Sequence, residues 1–189
     1  MLFLISLIIL ILSHELAHLI IAKKCGCGVE IFSLGFGSPI FKKKMGETTY
    51  QMAPILLGGF CQLTDEVVVS KNPAAFTNLS YSKKVAIALA GVIINIIMGL
   101  IALYVGKLIA NFQLYYFGYL SLVLGITNAI PFPALDGSYP ILVWLEKFYG
   151  KEKGYKLMSR ICRIGFIIIM TLNVLFLPLL IYYIKTGVL

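Results

Sequence analysis

Long apolar runs alternate along the chain with segments that are rich in Lys, Gly and Pro. We place the apolar runs at about residues 2–22, 85–106, 114–130 and 161–184, the third being the shortest. A helix rises about 1.5 Å per residue, so each run is close to the roughly 20 residues that cross about 30 Å of hydrocarbon. The pattern predicts an α-helical polytopic membrane protein with about four transmembrane helices.

Between the first two runs the pattern changes to short segments of alternating or β-rich sequence. These segments cover residues 29–34, 38–44, 47–53 and 55–61, and Gly, Pro and Met-Gly-Glu turns separate them. Alternation with a period of two is typical of strands. We therefore expect a small membrane-associated β-sheet with a hairpin over about residues 29–61.

Composition and charge support the membrane assignment and give an orientation. Hydrophobic residues make up 60% of the chain, charged residues only 13%, and the mean hydropathy is +0.94. Most of the 16 Lys and Arg lie between the first two runs or after the third. The positive-inside rule then places these segments and the sheet in the cytoplasm and both termini outside it. The net charge of +8 is explained by topology and by attraction to anionic lipids, so we expect no nucleic-acid partner.

The chain has only two histidines, and both lie in the sequence H-E-L-A-H inside the first apolar run. On a helix, His14 and His18 lie one turn apart on the same face, so both rings can bind one Zn²⁺ with Glu15 beside it. Ionisable side chains are costly in hydrocarbon and are usually functional there. His18 shortly precedes the Lys23 and Lys24 pair, which places it roughly 8 Å inside the cytoplasmic boundary.

A catalytic zinc site usually has three protein ligands, and Asp136 is the best candidate for the third. It follows Pro131 and Pro133, which prevent a regular helix, and it precedes a glycine. The alternative is that Asp136 only opens an Asp-Gly turn at the membrane surface. Asn128 has two interpretations as well, as a contact between helices or as an amide that faces a substrate carbonyl.

Other polar residues have less specific interpretations. Asn95 and Asn173 lie inside apolar runs and predict interhelical hydrogen bonds. Asp65 and Glu66 are expected in a cytoplasmic loop without a role in the site. Cys25 and Cys27 are expected to be free thiols, with a second zinc site or a redox switch as alternatives. Cys61 and Cys162 lie elsewhere in the chain and are also expected to be free thiols.

Two motifs together resemble one family. H-E-L-A-H at residues 14–18 and N-A-I-P-F-P-A-L-D-G at residues 128–137 are similar to the paired H-E-x-x-H and N-x-x-P-x-P-x-L-D-G motifs of the site-2 protease family of intramembrane zinc metalloproteases. Residues 36–50 and 57–60 resemble its membrane-associated hairpin and its Gly-Gly-aromatic loop. Residues 90–95 resemble its A-G-P-x-x-N helix start. Val92 replaces the usual proline there, which affects helix geometry and leaves the metal ligands unchanged.

The resemblance implies a single intramembrane metalloprotease domain over residues 1–189, in a minimal form without a PDZ or CBS domain. It implies that His14, His18 and Asp136 bind Zn²⁺. Glu15 would take a proton from the zinc-bound water and pass it to the leaving amine, while Asn128 would position or polarise the substrate peptide. The implied substrates are transmembrane segments of regulatory proteins or remnant signal peptides. A regulatory membrane protein is a further expected partner, as in sporulation-type members.

Two other functions remain open at this point. A membrane quality-control metalloprotease would keep the zinc and cleave misfolded protein at the cytoplasmic surface. A non-enzymatic membrane scaffold or transporter would use the metal structurally, although such a site needs no general base at Glu15. For a protease, residues 48–53 are a hypothetical sheet edge that binds an unwound substrate, and the alternative is a sheet that only caps the cavity.

Overall fold

The computed structural model describes residues 2–66 and 69–186, and side chains are described except at residues 2–4, 57, 173, 174 and 176–186. The helices are α1 (Leu2–Lys24), α2 (Tyr81–Leu108), α3 (Phe112–Ala129), α4 (Tyr139–Trp144), α5 (Glu146–Tyr149) and α6 (Lys151–Thr186). The strands are β1 (Val29–Phe36), β2 (Phe41–Met45), β3 (Thr48–Met52) and β4 (Ile55–Leu63). Short 3₁₀ turns occupy Phe76–Asn78 and Asp136–Ser138.

The four long helices overlap the apolar runs of the sequence. α1, α2 and α3 match the first three runs to within a few residues, whereas α6 begins at Lys151, before the fourth run. Within the described residues, α1 and α2 are the helices long and apolar enough to cross a membrane by length and composition. The assignments of α3 and α6 as membrane spans remain predictions, and the side chain of Asn173 lies outside the described residues.

One face of α1 carries an exposed apolar stripe. Ile5, Ile9, Leu12, Leu16 and Ile20 follow one another at three- or four-residue spacing and are each 38–46% exposed. Residues at this spacing share one side of a helix. A continuous stripe of isoleucine and leucine is unfavourable against water and suits contact with lipid tails. The histidines of α1 lie off this stripe, toward the protein interior.

The four predicted strands are present and form one mixed sheet in the order β2-β3-β1-β4. β2 and β3 form the expected hairpin, β1 pairs with β3 in parallel, and β1 pairs with β4 in antiparallel. The hypothesis that residues 48–53 offer a free edge is therefore wrong, because β3 has a strand on either side. Because β3 pairs with β1 on one side, its hairpin partner β2 lies on the other side, at the edge of the sheet. Within the described residues, the edges of the sheet are β2 and β4.

The sheet, the end of α1, the start of α2, α4 and the start of α6 share one hydrophobic core. Its buried side chains include Leu19, Val29, Phe32, Leu63, Phe76, Ile87, Leu142, Val143, Tyr155 and Met158. Lys84 is also buried here, at 2% exposure. Its Nζ lies 2.8 Å from Glu146 Oε2 and 2.5 Å from the Tyr155 hydroxyl. Lys84 thus joins α2 to α5 and α6 from within the protein.

α2 and α3 form a tightly packed helical hairpin. A Cβ added at Gly106 would lie 2.5 Å from Tyr115 N, and one added at Gly118 would lie 2.6 Å from Leu103 N. The Asn111 side chain caps α3 by accepting a hydrogen bond from Leu114 N at 2.9 Å. Close backbone approach at glycines brings the end of α3 back beside the start of α2 and the histidines of α1.

Candidate active site

Three side chains with metal-binding atoms meet where α1, α2 and the segment after α3 come together. His14 Nε2 and His18 Nε2 lie 3.3 Å apart, and Asp136 Oδ2 lies 2.9 Å from the first and 3.4 Å from the second. The described residues contain one such group of three, and neither Cys25 nor Cys27 belongs to it. The structure therefore brings together the three side chains that the sequence nominates as ligands.

The arrangement fits a cation. Asp136 Oδ2 is buried, yet no hydrogen bond of good geometry reaches it from the described residues despite the two nearby ring nitrogens. Such an unsatisfied buried oxygen is costly unless another partner binds it. Gly91 of α2 provides the space in front of the rings, because a Cβ there would lie 2.5 Å from His14 Nε2 and from His18 Nε2. Two imidazoles and a carboxylate are a donor set that suits Zn²⁺.

α2 also contacts the outer nitrogen of each histidine. His18 Nδ1 lies 2.7 Å from the Ile87 carbonyl oxygen, and His14 Nδ1 lies 3.0 Å from Asn95 Nδ2. Since a carbonyl only accepts, the proton of neutral His18 is on Nδ1 and its Nε2 presents a lone pair. Asn95 forms the interhelical hydrogen bond expected of it, and its partner is a candidate ligand.

The segment after α3 delivers Asp136 to the histidines. α3 ends at Ala129, ahead of the two prolines, and Ala134 has a positive φ of 81°. The 3₁₀ turn Asp136–Ser138 follows, and a Cβ at Gly137 would collide with the Ala129 carbonyl. Asp136 thus opens an Asp-Gly turn and also faces the histidines, so the two interpretations of this residue are compatible.

A cavity of about 410 Å³ opens onto the three side chains. Glu15 and Asn128 both line it, together with Gly58, Gly59 and Phe60 of β4. A Cβ on Gly59 would lie 2.8 Å from Glu15 Cγ, so β4 passes directly beside this glutamate. The cavity therefore joins a carboxylate, an amide and an edge strand to the candidate metal ligands.

The sequence interpretation missed Glu66 and Tyr139. Both line the cavity, and the Tyr139 hydroxyl donates a hydrogen bond to Glu66 Oε1. Burial raises the pKa of Glu66 above its usual value. Glu66 does lie in a loop, as expected, but it is partly buried at the cavity, and its expected lack of a role in the site stays a prediction. Glu66 follows the end of β4 in an irregular turn, where no hydrophobic periodicity indicated burial.

Comparison with known proteins agrees with this fold. The sequence model of peptidase family M50 matches residues 2–113 and 107–172. Regulator of sigma-E protease RseP from Escherichia coli is 39% identical over 106 residues, which cover 53% of this chain and 23% of that protein. Protease RseP from Yersinia pestis is 36% identical over 105 residues, with the same coverage of 53% and 23%. The chain thus matches less than a quarter of the length of these curated relatives.

Among solved structures, the fold is similar to that of the Site-2 Protease from Methanocaldococcus jannaschii. The TM-score is 0.54 with 24% sequence identity, and the match covers 90% of this chain and 66% of that one. The chain belongs to peptidase family M50, since the family model matches most of its length. The resemblance drawn from the two motifs is confirmed at the level of the family. Together with the apolar helices, family membership makes this a membrane protein.

Proposed function

We propose that this chain is an intramembrane zinc metalloprotease that hydrolyses peptide bonds in transmembrane segments. The observation that carries the proposal is the convergence of His14, His18 and Asp136 beside Glu15 in one cavity between apolar helices. The names of relatives in the family, which include proteases and zinc metalloproteases, support the same activity. In this hydrolase, His14, His18 and Asp136 hold the Zn²⁺.

Bound Zn²⁺ supplies a Lewis acid that polarises a peptide carbonyl and makes water more acidic. The chain supplies the remaining chemistry. Glu15 accepts a proton from the attacking water on its carboxylate and returns it to the leaving nitrogen. The Asn128 amide donates a hydrogen bond to a substrate carbonyl and so orients the scissile peptide. No serine or cysteine nucleophile is required.

The proposed topology has four membrane spans, α1, α2, α3 and the apolar part of α6. The lysines that follow α1 and precede α2 support a cytoplasmic position for the sheet and for the open side of the cavity. Both termini then lie outside the cytoplasm. The protein is accordingly a multi-pass protein of the cell membrane, and water enters the site from the cytoplasmic side.

The proposed substrates are regulatory membrane proteins or remnant signal peptides. A transmembrane helix hides its scissile bonds, and an unwound segment in a poorly hydrated site needs new hydrogen-bond partners. β4 is suited to provide them, because its outer edge is unpaired within the described residues and Gly58, Gly59 and Phe60 line the cavity. An extended substrate that adds to β4 passes beside Glu15.

Two observations favour this function over the alternatives. Glu15 lines the cavity beside both histidines, whereas a structural metal site in a scaffold or transporter needs no general base. The cavity of about 410 Å³ suits one extended strand better than a bulky misfolded surface, which disfavours quality control as the main role. A regulatory membrane protein that covers the cavity mouth is a further proposed partner.

Co-expression with single-span membrane proteins tests the proposal. We expect the full-length substrate to disappear with the wild-type chain and to persist with Glu15→Gln. Glu47→Gln is the matched control, because Glu47 is exposed in the turn between β2 and β3. Equal substrate loss with Glu15→Gln and with the wild type would contradict the proposed function.

A further inference from the structure

Asn95 of α2 is fully buried against α1 and α3, and its side chain contacts a candidate metal ligand. Its exposure is 0%, and its backbone carbonyl accepts a hydrogen bond from Ser121 Oγ at 2.7 Å. The side-chain Nδ2 lies 3.0 Å from His14 Nδ1. The amide oxygen, Asn95 Oδ1, is buried without a hydrogen-bond partner among the described residues. An unsatisfied buried oxygen on the same amide group as this contact calls for an explanation.

The orientation of the Asn95 amide decides which nitrogen of His14 carries the proton. When Nδ2 faces the ring, it donates to Nδ1, so neutral His14 carries its proton on Nε2, the atom that faces Asp136. A protonated Nε2 has no lone pair for a metal. A half-turn of the amide places Oδ1 against Nδ1, which then carries the proton and leaves Nε2 free to bind.

His18 shows which of these two orientations suits a ligand. Its Nδ1 faces the carbonyl oxygen of Ile87 at 2.7 Å, an acceptor that fixes the proton on Nδ1. Metal-binding histidines generally donate their outer N–H to an oxygen in this way, which fixes the ring orientation. Ile87 and Asn95 lie on the same helix, on either side of the Gly91 gap. α2 thus contacts both histidines from behind, with a main-chain oxygen for one and a side-chain amide for the other.

We propose that Asn95 is a positioning residue for the metal site, whose side-chain oxygen accepts the Nδ1 proton of His14 and holds its Nε2 ready to bind the ion. The proposal rests on the proposed zinc site and adds a residue outside its ligands. It also explains why a polar amide occupies a fully buried position in the middle of α2. Asn95 acts through His14 and touches neither the substrate nor the ion.

Zinc affinity of the purified chain in detergent, measured by competition with a chromogenic chelator, tests the proposal. Asn95→Leu keeps the size of the side chain and removes the acceptor, so we expect affinity to fall about 10- to 100-fold. Asn95→Asp keeps the acceptor, so affinity is expected to stay within a few-fold of wild type. Ser121→Ala is the matched control, because it removes a contact of the Asn95 backbone and leaves the amide in place.

A second measurement is the visible spectrum of the cobalt-substituted protein. This spectrum does not change when packing alone is lost. We expect the wild type, Asn95→Asp and Ser121→Ala to share one ligand-field spectrum, and Asn95→Leu to differ from it. If Asn95→Leu does not elute as folded protein, Asn95→Ser replaces it, since the short hydroxyl does not reach the ring, and the same loss is expected.

The possible failures are distinguishable. If Asn95→Leu binds zinc with wild-type affinity, or if Asn95→Asp and Asn95→Leu lose the same zinc affinity, the role of Asn95 is overturned while the zinc site stands. A wild-type chain that binds no zinc overturns the proposed function itself, and the role of Asn95 with it.

Discussion

Replacing Gly91 by alanine places a methyl group directly between the two histidine rings. The new Cβ would lie 2.5 Å from His14 Cε1, His14 Nε2 and His18 Nε2, whereas ordinary contacts begin at 3.4 Å. One or both rings must therefore move by about 0.9 Å, the difference between these distances. Ligand distances in metal sites vary by only about 0.2 Å, so we expect at least one nitrogen to leave the site.

The expected loss of activity and zinc affinity is large, and the damage is confined to the candidate metal site. A displacement of about 1 Å costs on the order of 100-fold in activity, and we expect zinc affinity to fall at least as far. The helix itself should remain, because alanine is favoured over glycine in a helix by about 1 kcal/mol. Zinc content after gel filtration, chelator competition and thermal unfolding by circular dichroism would be measured on the same samples.

Gly99→Ala is the matched control on the same helix. Its Cβ would lie 2.7 Å from the Leu122 side chain and 3.0 Å from the Gly118 carbonyl, so it disturbs the packing of α2 on α3 without touching the histidines. We expect a lower unfolding temperature with zinc binding retained. A full equivalent of zinc bound to Gly91→Ala with wild-type affinity would refute the assignment of His14 and His18 as joint ligands.

Three further predictions concern the third ligand, the sheet edge and the thiol of Cys61, which lines the cavity. Asp136→Ala should lose zinc and activity, whereas the control Asp65→Asn should keep both, because asparagine tolerates the left-handed φ of 48° at residue 65. A full equivalent of zinc in Asp136→Ala would mean that another residue is the third ligand. Proline introduced singly at residues 60–62 of β4 should abolish cleavage and leave zinc bound at each position whose N–H faces the free edge, whereas Lys43→Pro in β2, the opposite edge, should not affect cleavage. If all of these variants still cleave the substrate, the sheet only caps the cavity. Burial raises the pKa of Cys61 to about 12, so the thiol stays protonated at pH 7 and its labelling by maleimide should become faster only at strongly alkaline pH. Rapid labelling of the folded protein at pH 7 would contradict the burial of this thiol.

Local patterns predicted the elements of the fold well. The apolar runs located α1, α2 and α3 because spanning length and composition are properties of a single segment. Alternation located the four strands for the same reason. Strand order was not accessible, because β1 pairs in parallel with β3 although β2 separates these two strands along the chain. The free edge was consequently assigned to β3, although β4 carries it beside the cavity.

The candidate site shows the same division between local and distant information. His14 and His18 are one helical turn apart, so their meeting followed from spacing alone, and the two prolines marked the irregular segment that carries Asp136. The burial of Glu66 and Lys84 was not accessible from the sequence, because it depends on Tyr139, Glu146 and other partners far along the chain. Charged residues near segment ends resemble exposed loop residues until such partners are known.

The central claim, that this chain hydrolyses a transmembrane peptide bond with Glu15 as general base, is tested most directly in liposomes. Purified zinc-loaded chain would be mixed with a purified single-span substrate, and mass spectrometry would locate new termini. We expect cleavage inside the apolar segment by the wild type and a loss of at least about 10²–10⁴-fold in Glu15→Gln, with zinc still bound. Cleavage by zinc-loaded Glu15→Gln at the wild-type rate would contradict the account.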